Sequence, residues 1–191
     1  MKPEIRIIGI DDGYFDKKKD KECLVVGVVM RGYKQIDAVL STKVTVDGDD
    51  ATEKIAEMIN KSRQKPQLRV IMINGITVGG FNVIDIEELY KLTGLPVIVV
   101  TRNKPNFDEI YRAIQNVPNW EEKWRKIRKA GEPQKVLVKN GIVWYQYYGW
   151  PKEKVEELIR YTAVYSVIPE PVRVAHLIAE GITLGESHGK P

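Results

Sequence analysis

The sequence is poor in the side chains that build covalent cross-links and soft-metal sites. It has 1 cysteine, Cys23, among 191 residues, which excludes an intrachain disulfide. A lone thiol fits a reducing, cytoplasmic setting. Its 2 histidines, His176 and His188, are with Cys23 too few for the usual nitrogen and sulfur shell of zinc. Any metal bound here would therefore take oxygen ligands, a chemistry that suits magnesium or manganese. No apolar run approaches the roughly 20 residues needed to cross a bilayer, so no membrane association is expected. The opening residues, Met-Lys-Pro-Glu-Ile-Arg, are too charged for a secretory signal.

What is present is globular. Hydrophobic residues make up 43% and charged residues 29%, enough to build a core within one domain spanning 1–191. The formal charge of +4 and pI near 9.0 permit a nucleic-acid partner without requiring one. Positive charge concentrates between Trp120 and Lys129, where Lys123, Arg125, Lys126, Arg128 and Lys129 accompany Trp124. Rings and cations together suit a nucleic-acid strand. The helical spacing of Trp120, Trp124 and Ile127 favours an amphipathic helix that buries those rings.

Ile5–Ile10, Cys23–Met30 and Gln35–Val46 read as strands too close together for helices between them, hence an antiparallel meander. The pattern then changes. Asp50-Ala-Thr-Glu53 matches a capping box ahead of Ile55, Met58 and Ile59 at helical spacing. Leu68–Ile73 is a further strand, and Asp85 caps the helix that follows a glycine-bearing loop. Leu95–Val100 is continuously apolar, as in a parallel strand covered on both faces. Pro105 introduces a helix bearing Phe107, Ile110, Tyr111 and Ile114. Asn140-Gly141 marks a hairpin, and Val155–Thr162 and Val172–Ile178 are helical patterns. The expected architecture is α/β: one mixed sheet of about five strands, three antiparallel and then parallel, with helices packed on it.

Acidic residues gather at strand ends and helix starts. Asp11 and Asp12 close the first strand, Asp47, Asp49 and Asp50 follow the third, and Asn74 closes the fourth. Parallel neighbouring strands would bring Asp11 and Asn74 to one sheet edge, where converging carboxylates can hold a divalent cation for phosphoryl chemistry. A histidine beside them can position water or a leaving group. Asp12 before Gly13 is equally explained as turn chemistry, and Asp50 and Asp85 as helix caps. Asp11 differs, because a carboxylate directly after an apolar strand is costly to leave unpaired. The run from Asn74 to Asp85 also has the strand, glycine loop and helix outline of a phosphate cradle, but it lacks both GxGxxG and GxxxxGK[ST].

Ile8-Gly-Ile-Asp-Asp-Gly13, the loop from Asn74-Gly75 through Gly79-Gly80-Phe-Asn-Val-Ile-Asp85, and Leu95–Val100 resemble a mainly archaeal family of unknown function related to endonuclease V. Ile168-Pro-Glu-Pro-Val-Arg-Val-Ala-His176 is similar to the C-terminal helix of endonuclease V itself. The resemblance covers nearly the whole chain in element order. It implies an RNase H-like fold and phosphodiester cleavage with magnesium or manganese, near deaminated bases. By position it makes Asp11 the first-strand metal ligand, with Asp12 beside it. Asp50, or else Asp49, stands nearest the second ligand. Asn74 falls where endonuclease V has the aspartate of Asp-Gly, and His176 falls near the metal. Arg102 and Lys104, after the fifth strand, would meet phosphate. The chain departs from endonuclease V in three respects: Asn74 is an amide, no Pro-Tyr wedge lies between Thr42 and Asp50, and Phe81-Asn82 replaces His-Pro-Arg.

Two classes of function follow. The first is a divalent-metal nuclease or phosphodiesterase acting on DNA or RNA. The alternative is a non-catalytic nucleic-acid-binding or scaffold protein on the same fold, which the amide at Asn74 favours. Hydrolysis of a small phosphorylated molecule is a third reading.

Overall fold

The computed structural model describes residues 4–191. The reading of the opening residues as no secretory signal falls partly on residues 1–3, outside the described residues. Chain order runs β1 (Arg6–Asp12), β2 (Glu22–Arg31), β3 (Gln35–Thr45), α1 (Ala51–Lys61), β4 (Val70–Asn74), β5 (Thr77–Val78), β6 (Asn82–Val83), α2 (Ile86–Thr93) and β7 (Val97–Thr101). It continues with α3 (Phe107–Ile114), α4 (Trp120–Lys129), β8 (Gln134–Val138), β9 (Gly141–Tyr148), α5 (Lys152–Thr162) and α6 (Glu170–Leu184).

The main sheet has 7 strands in the order β3-β2-β1-β4-β7-β9-β8. The first three form the expected antiparallel meander, and β1, β4 and β7 run parallel. The sequence pattern suggested about five strands, a count based on runs separated by turns or helices. The hairpin at Asn140-Gly141 supplies two more, because β9 pairs antiparallel with β7 and carries β8 to the edge. Two short strands, β5 and β6, form a separate ladder over the loop after Asn74.

Strand alternation divides the core. Ile8 and Ile10 of β1, Ile71 and Ile73 of β4, and Val97 and Val99 of β7 pack with Ile55, Ile59 and Leu89 beneath α1 and α2. The alternate residues Ile7, Val70, Met72, Ile98 and Val100 pack with Val155, Leu158 and Ile159 of α5. Helix α6 lies on that second face, with Val172 in the same cluster and Ala175 and Ala179 against Val26, Val28 and Met30. Its approach to β1 is close. A Cβ at Gly9 would sit 2.1 Å from the carbonyl carbon and oxygen of Pro171.

Helix starts are partly as expected. Asp85 accepts a hydrogen bond from the backbone N–H of Glu88, and α2 ends at Gly94 in the left-handed region. At α1 the capping-box reading needs correction. Asp50 occupies the N-cap position but makes no side-chain bond to its helix. The buried amide of Asn82 takes that role, its Oδ1 accepting from the N–H of Ala51. Helix α4 buries Ile127 and tucks Trp120 and Trp124 against Phe107 and Ile110 of α3, as the helical spacing indicated. Its tryptophans are therefore half-buried against α3, and Arg128 lies over the Phe107 ring. No helix among the described residues is long and apolar enough to cross a membrane.

Replacing Gly9 by alanine is expected to destabilise the fold by about 1–3 kcal/mol or more, because backbone, not a flexible side chain, blocks the new methyl. Chemical denaturation checks this, and an unchanged midpoint would show that α6 does not press on β1.

Candidate active site

Strands β1 and β4 are parallel, and Ile10 pairs with Ile73. The next residues, Asp11 and Asn74, are therefore neighbours at the carboxyl end of the sheet. Alternation turns both toward the face that α6 covers. Asp11 is 3% exposed. Its Oδ1 accepts from the N–H of Asp12 at 2.9 Å. Its Oδ2 accepts from Nδ2 of Asn74 at 3.0 Å and lies 2.9 Å from Nδ1 of His176 on α6. A carboxylate oxygen can only accept here, so the hydrogen of His176 sits on Nδ1. The hydrogen bond that His176 donates to Asp11 raises the imidazole pKa above its usual value, and the charges of Asp11 and Glu180 add to this against the opposing effect of burial.

Asp12 begins toward the opposite face, where its Oδ2 accepts from the N–H of Gly79 at 2.7 Å. Burial, followed by the negative charge of Asp11, pushes its carboxyl pKa up to about 7, although the Gly79 bond pulls the other way. Both carboxyls still border one cleft of about 300 Å³, lined also by Gly13, Tyr14, Phe15, Asn74, His176 and Glu180. A larger cavity of about 500 Å³ lies at the other end of β1 around Arg6, Arg69 and Trp150 and holds none of the acidic candidates.

The two other acidic candidates lie outside this cleft. Asp49 pairs with Lys123 at 2.7 Å, and the lysine is only 1% exposed. Asp50 accepts from the N–H and hydroxyl of Thr45 and from Nδ2 of Asn82 at 2.7 Å. Burial raises the Asp50 pKa, but these donors outweigh it and leave the group below its ordinary value. Both residues thus have structural partners, and neither lines the cleft that holds Asp11. Among the described residues, no group of three or more His, Cys, Asp or Glu side chains has metal-binding spacing.

Lys104 sits over the Trp144 ring in a separate hollow near Asn106 and Glu132. Arg102 lies nearer. It donates to the backbone oxygen of Pro191 and to Ser166 in a pocket of about 460 Å³ that shares Lys190 and Pro191 with the acidic cleft.

The glycine loop is no phosphate cradle, since the N–H of Gly79 is already given to Asp12. Asp47, at φ 51°, accepts from the N–H of Phe81 and donates its own N–H to the Gly79 carbonyl, pinning the β5–β6 turn. Glu180 was missed by sequence reasoning. Its carboxylate lies 3.6 Å from Nε2 of His176 and accepts from the N–H of His188. Its i,i+4 spacing from His176 was the available signal, hidden because the helical pattern was ended at Ile178.

Comparisons with known proteins place the fold in a class. A crystal structure of endonuclease V from Ciona intestinalis, bound to a 24mer DNA containing inosine followed by a ribo-adenosine, superposes with TM-score 0.55. The identity is 16%, over 90% of this chain and 82% of that one. The fold is therefore the RNase H-like fold of endonuclease V. An Archaeoglobus fulgidus protein of unknown function matches with TM-score 0.84 and 36% identity, over 97% of this chain and 99% of that one. The family model described as endonuclease dU matches residues 3–183, and the chain belongs to that family. A Methanosarcina mazei relative named UPF0215 protein is 53% identical over 192 aligned positions, covering 100% of this chain and 96% of its own.

Two outcomes follow from these contacts. The Cys23 thiol, pushed up to about 12 by burial and then by Asp12, should not react with a chromogenic disulfide reagent at pH 8 until the chain unfolds. Prompt labelling of the native protein would contradict that packing. Asn82→Ala should lower stability by about 2–3 kcal/mol in a denaturant titration, because it strands the N–H of Ala51 and removes a donor from Asp50. A loss below about 0.5 kcal/mol would show that water replaces the amide.

Proposed function

We propose that this chain is a divalent-cation-dependent endonuclease that cuts DNA beside a deaminated base, with deoxyuridine the first candidate. The observation that carries the reading is the convergence of Asp11, Asn74 and His176 at the open end of the parallel strands. The family description, endonuclease dU, and the inosine-containing DNA bound by the Ciona endonuclease V support the substrate class.

The donor chemistry fits magnesium or manganese. Asp11 and Asp12 are crowded carboxyls, and the charge of one raises the pKa of the other. A cation between them would relieve that repulsion. Asp11 and Asp12 would hold it, and Asn74 would offer its amide oxygen after turning its Nδ2 away from Asp11. When bound, such a cation activates water and offsets charge on the phosphoryl group.

The chain's own groups do the rest. Asp11 orients the His176 ring by accepting from Nδ1, so Nε2 faces Glu180 and the backbone carbonyl of His188 on the cleft side of α6. From there a protonated His176 can give a proton to the oxygen that leaves phosphorus, and Glu180 favours the charged ring. The amide at Asn74 also supports a second reading, nucleic-acid binding without cleavage, because its hydrogen bond with Asp11 brings no ligand charge.

The test is cleavage of oligonucleotides containing one deoxyuridine, one deoxyinosine or no lesion, with magnesium or manganese. The native chain should nick the deoxyuridine strand, Asp11→Asn should be silent, and His176→Ala should lose about a hundredfold or more. Manganese should raise the melting temperature of the native chain and leave that of Asp11→Asn unmoved. No cleavage and no thermal shift, together with salt-sensitive DNA binding, would select the second reading. Asn74→Asp should tighten manganese binding, and an unchanged affinity would remove Asn74 from the site.

A further inference from the structure

The turn from Gly13 to Lys21 leaves β1 directly at the acidic pair. It carries one exposed ring and four lysines, Lys17, Lys18, Lys19 and Lys21, against two aspartates, Asp16 and Asp20. Tyr14 borders the cleft beside Asp11, Asp12, Asn74 and His176, yet its surface is 55% exposed. Large exposed rings need a reason when their backbone is held. The N–H of Tyr14 donates to Oγ1 of Thr183 at 2.9 Å, and that of Gly13 donates to the Leu24 carbonyl at 2.9 Å. Gly13 also fits tightly under α6, since a Cβ there would lie 2.6 Å from Cγ2 of Thr183. Phe15 turns inward onto the core, which leaves Tyr14 facing out.

The lysines follow on an equally fixed turn. Asp16 accepts from the N–H of Lys18 at 2.8 Å, and its own N–H donates to Asp20 at 2.7 Å. Lys17 lies 5.8 Å from the Phe81 ring centroid, which ties the turn to the β5–β6 loop. Lys18 and Lys19 point to solvent, and Lys19 has only a 3.9 Å contact with Asp16. An acidic cleft repels a polyanion on its own, so a strand that enters it needs cations beside it. An exposed ring on a held backbone suits an unpaired base, because paired bases hide their faces in the stack.

We propose that Tyr14 and the Lys17–Lys19 turn form the strand-docking rim of the cleft. Tyr14 stacks on an unpaired base next to the phosphate to be cut, and Lys18 and Lys19 hold the flanking phosphates. This rests on the nuclease reading above and adds which residues seat the strand.

The test is fluorescence anisotropy of an end-labelled single-stranded DNA with the full chain in calcium, across a salt series. Tyr14→Ala should weaken binding roughly tenfold with an unchanged salt slope, while Tyr14→Phe binds as the native chain does. The double variant Lys18→Gln/Lys19→Gln should flatten the slope of log affinity against log salt by about 1.4, near 0.7 for each phosphate contact on a single strand. All three variants change exposed side chains, so their melting temperatures should match the native chain, which separates lost contact from lost fold. If the native chain binds DNA and both Tyr14→Ala and the double variant bind equally well, the rim is overturned while the role of Asp11 stands. A Tyr14→Phe loss equal to that of Tyr14→Ala would overturn stacking. A native chain that binds no DNA at any salt would remove the nuclease reading, and the rim with it.

Discussion

The contact on which the site depends is the seating of α6 on β1 at Gly9. The absence of a side chain there lets the backbone at Pro171 approach the strand. Val172, Ala175 and Ala179 then bury the helix against the sheet. Because α6 is placed at that depth, His176 arrives at hydrogen-bond distance from Asp11. A helix standing off by the width of a methyl group would leave the buried Asp11 carboxylate with one donor fewer, a costly state in a low-dielectric setting.

Strand geometry then separates two adjacent acids by role. Asp11 follows Ile7 and Gly9 onto the α6 face and joins Asn74, which alternates from Met72 by the same rule. Asp12 follows Ile8 and Ile10 and meets the N–H of Gly79 and the Cys23 thiol on the other side. The pair closes a strand yet reaches two structural environments. One is the helix that carries the histidine, and the other is the glycine turn that Asp47 pins.

Much of the fold was legible because it is local. The meander, the two parallel strands, the Asn140-Gly141 hairpin and the cap at Asp85 each follow from short-range pattern. The place of the hairpin was not, since pairing of β9 with β7 is a long-range choice that neither strand's own sequence records. The ladder of β5 and β6 has two residues per strand, too few for any period to show. At the site, Asp11, Asn74 and His176 were readable from strand ends and from the resemblance. Asp50, or else Asp49, was matched to a second ligand through the resemblance, and the structural bonds each one makes were not legible. Their partners, Lys123 and Asn82, lie 74 and 32 residues away, and no local signal announces them.

Asn74 has a consequence for how the chain folds. As an amide it donates to Asp11, and the buried side-chain nitrogens and oxygens of the described residues all have partners. The cleft is therefore complete in hydrogen-bonding terms before any ligand arrives. An aspartate at that position would add a charge beside Asp11 and remove a donor, so that the native state would need a counter-ion to reach the same stability. The asparagine lets the Asp11 carboxylate reach its hydrogen-bonded state through the fold alone, with no counter-ion required of it.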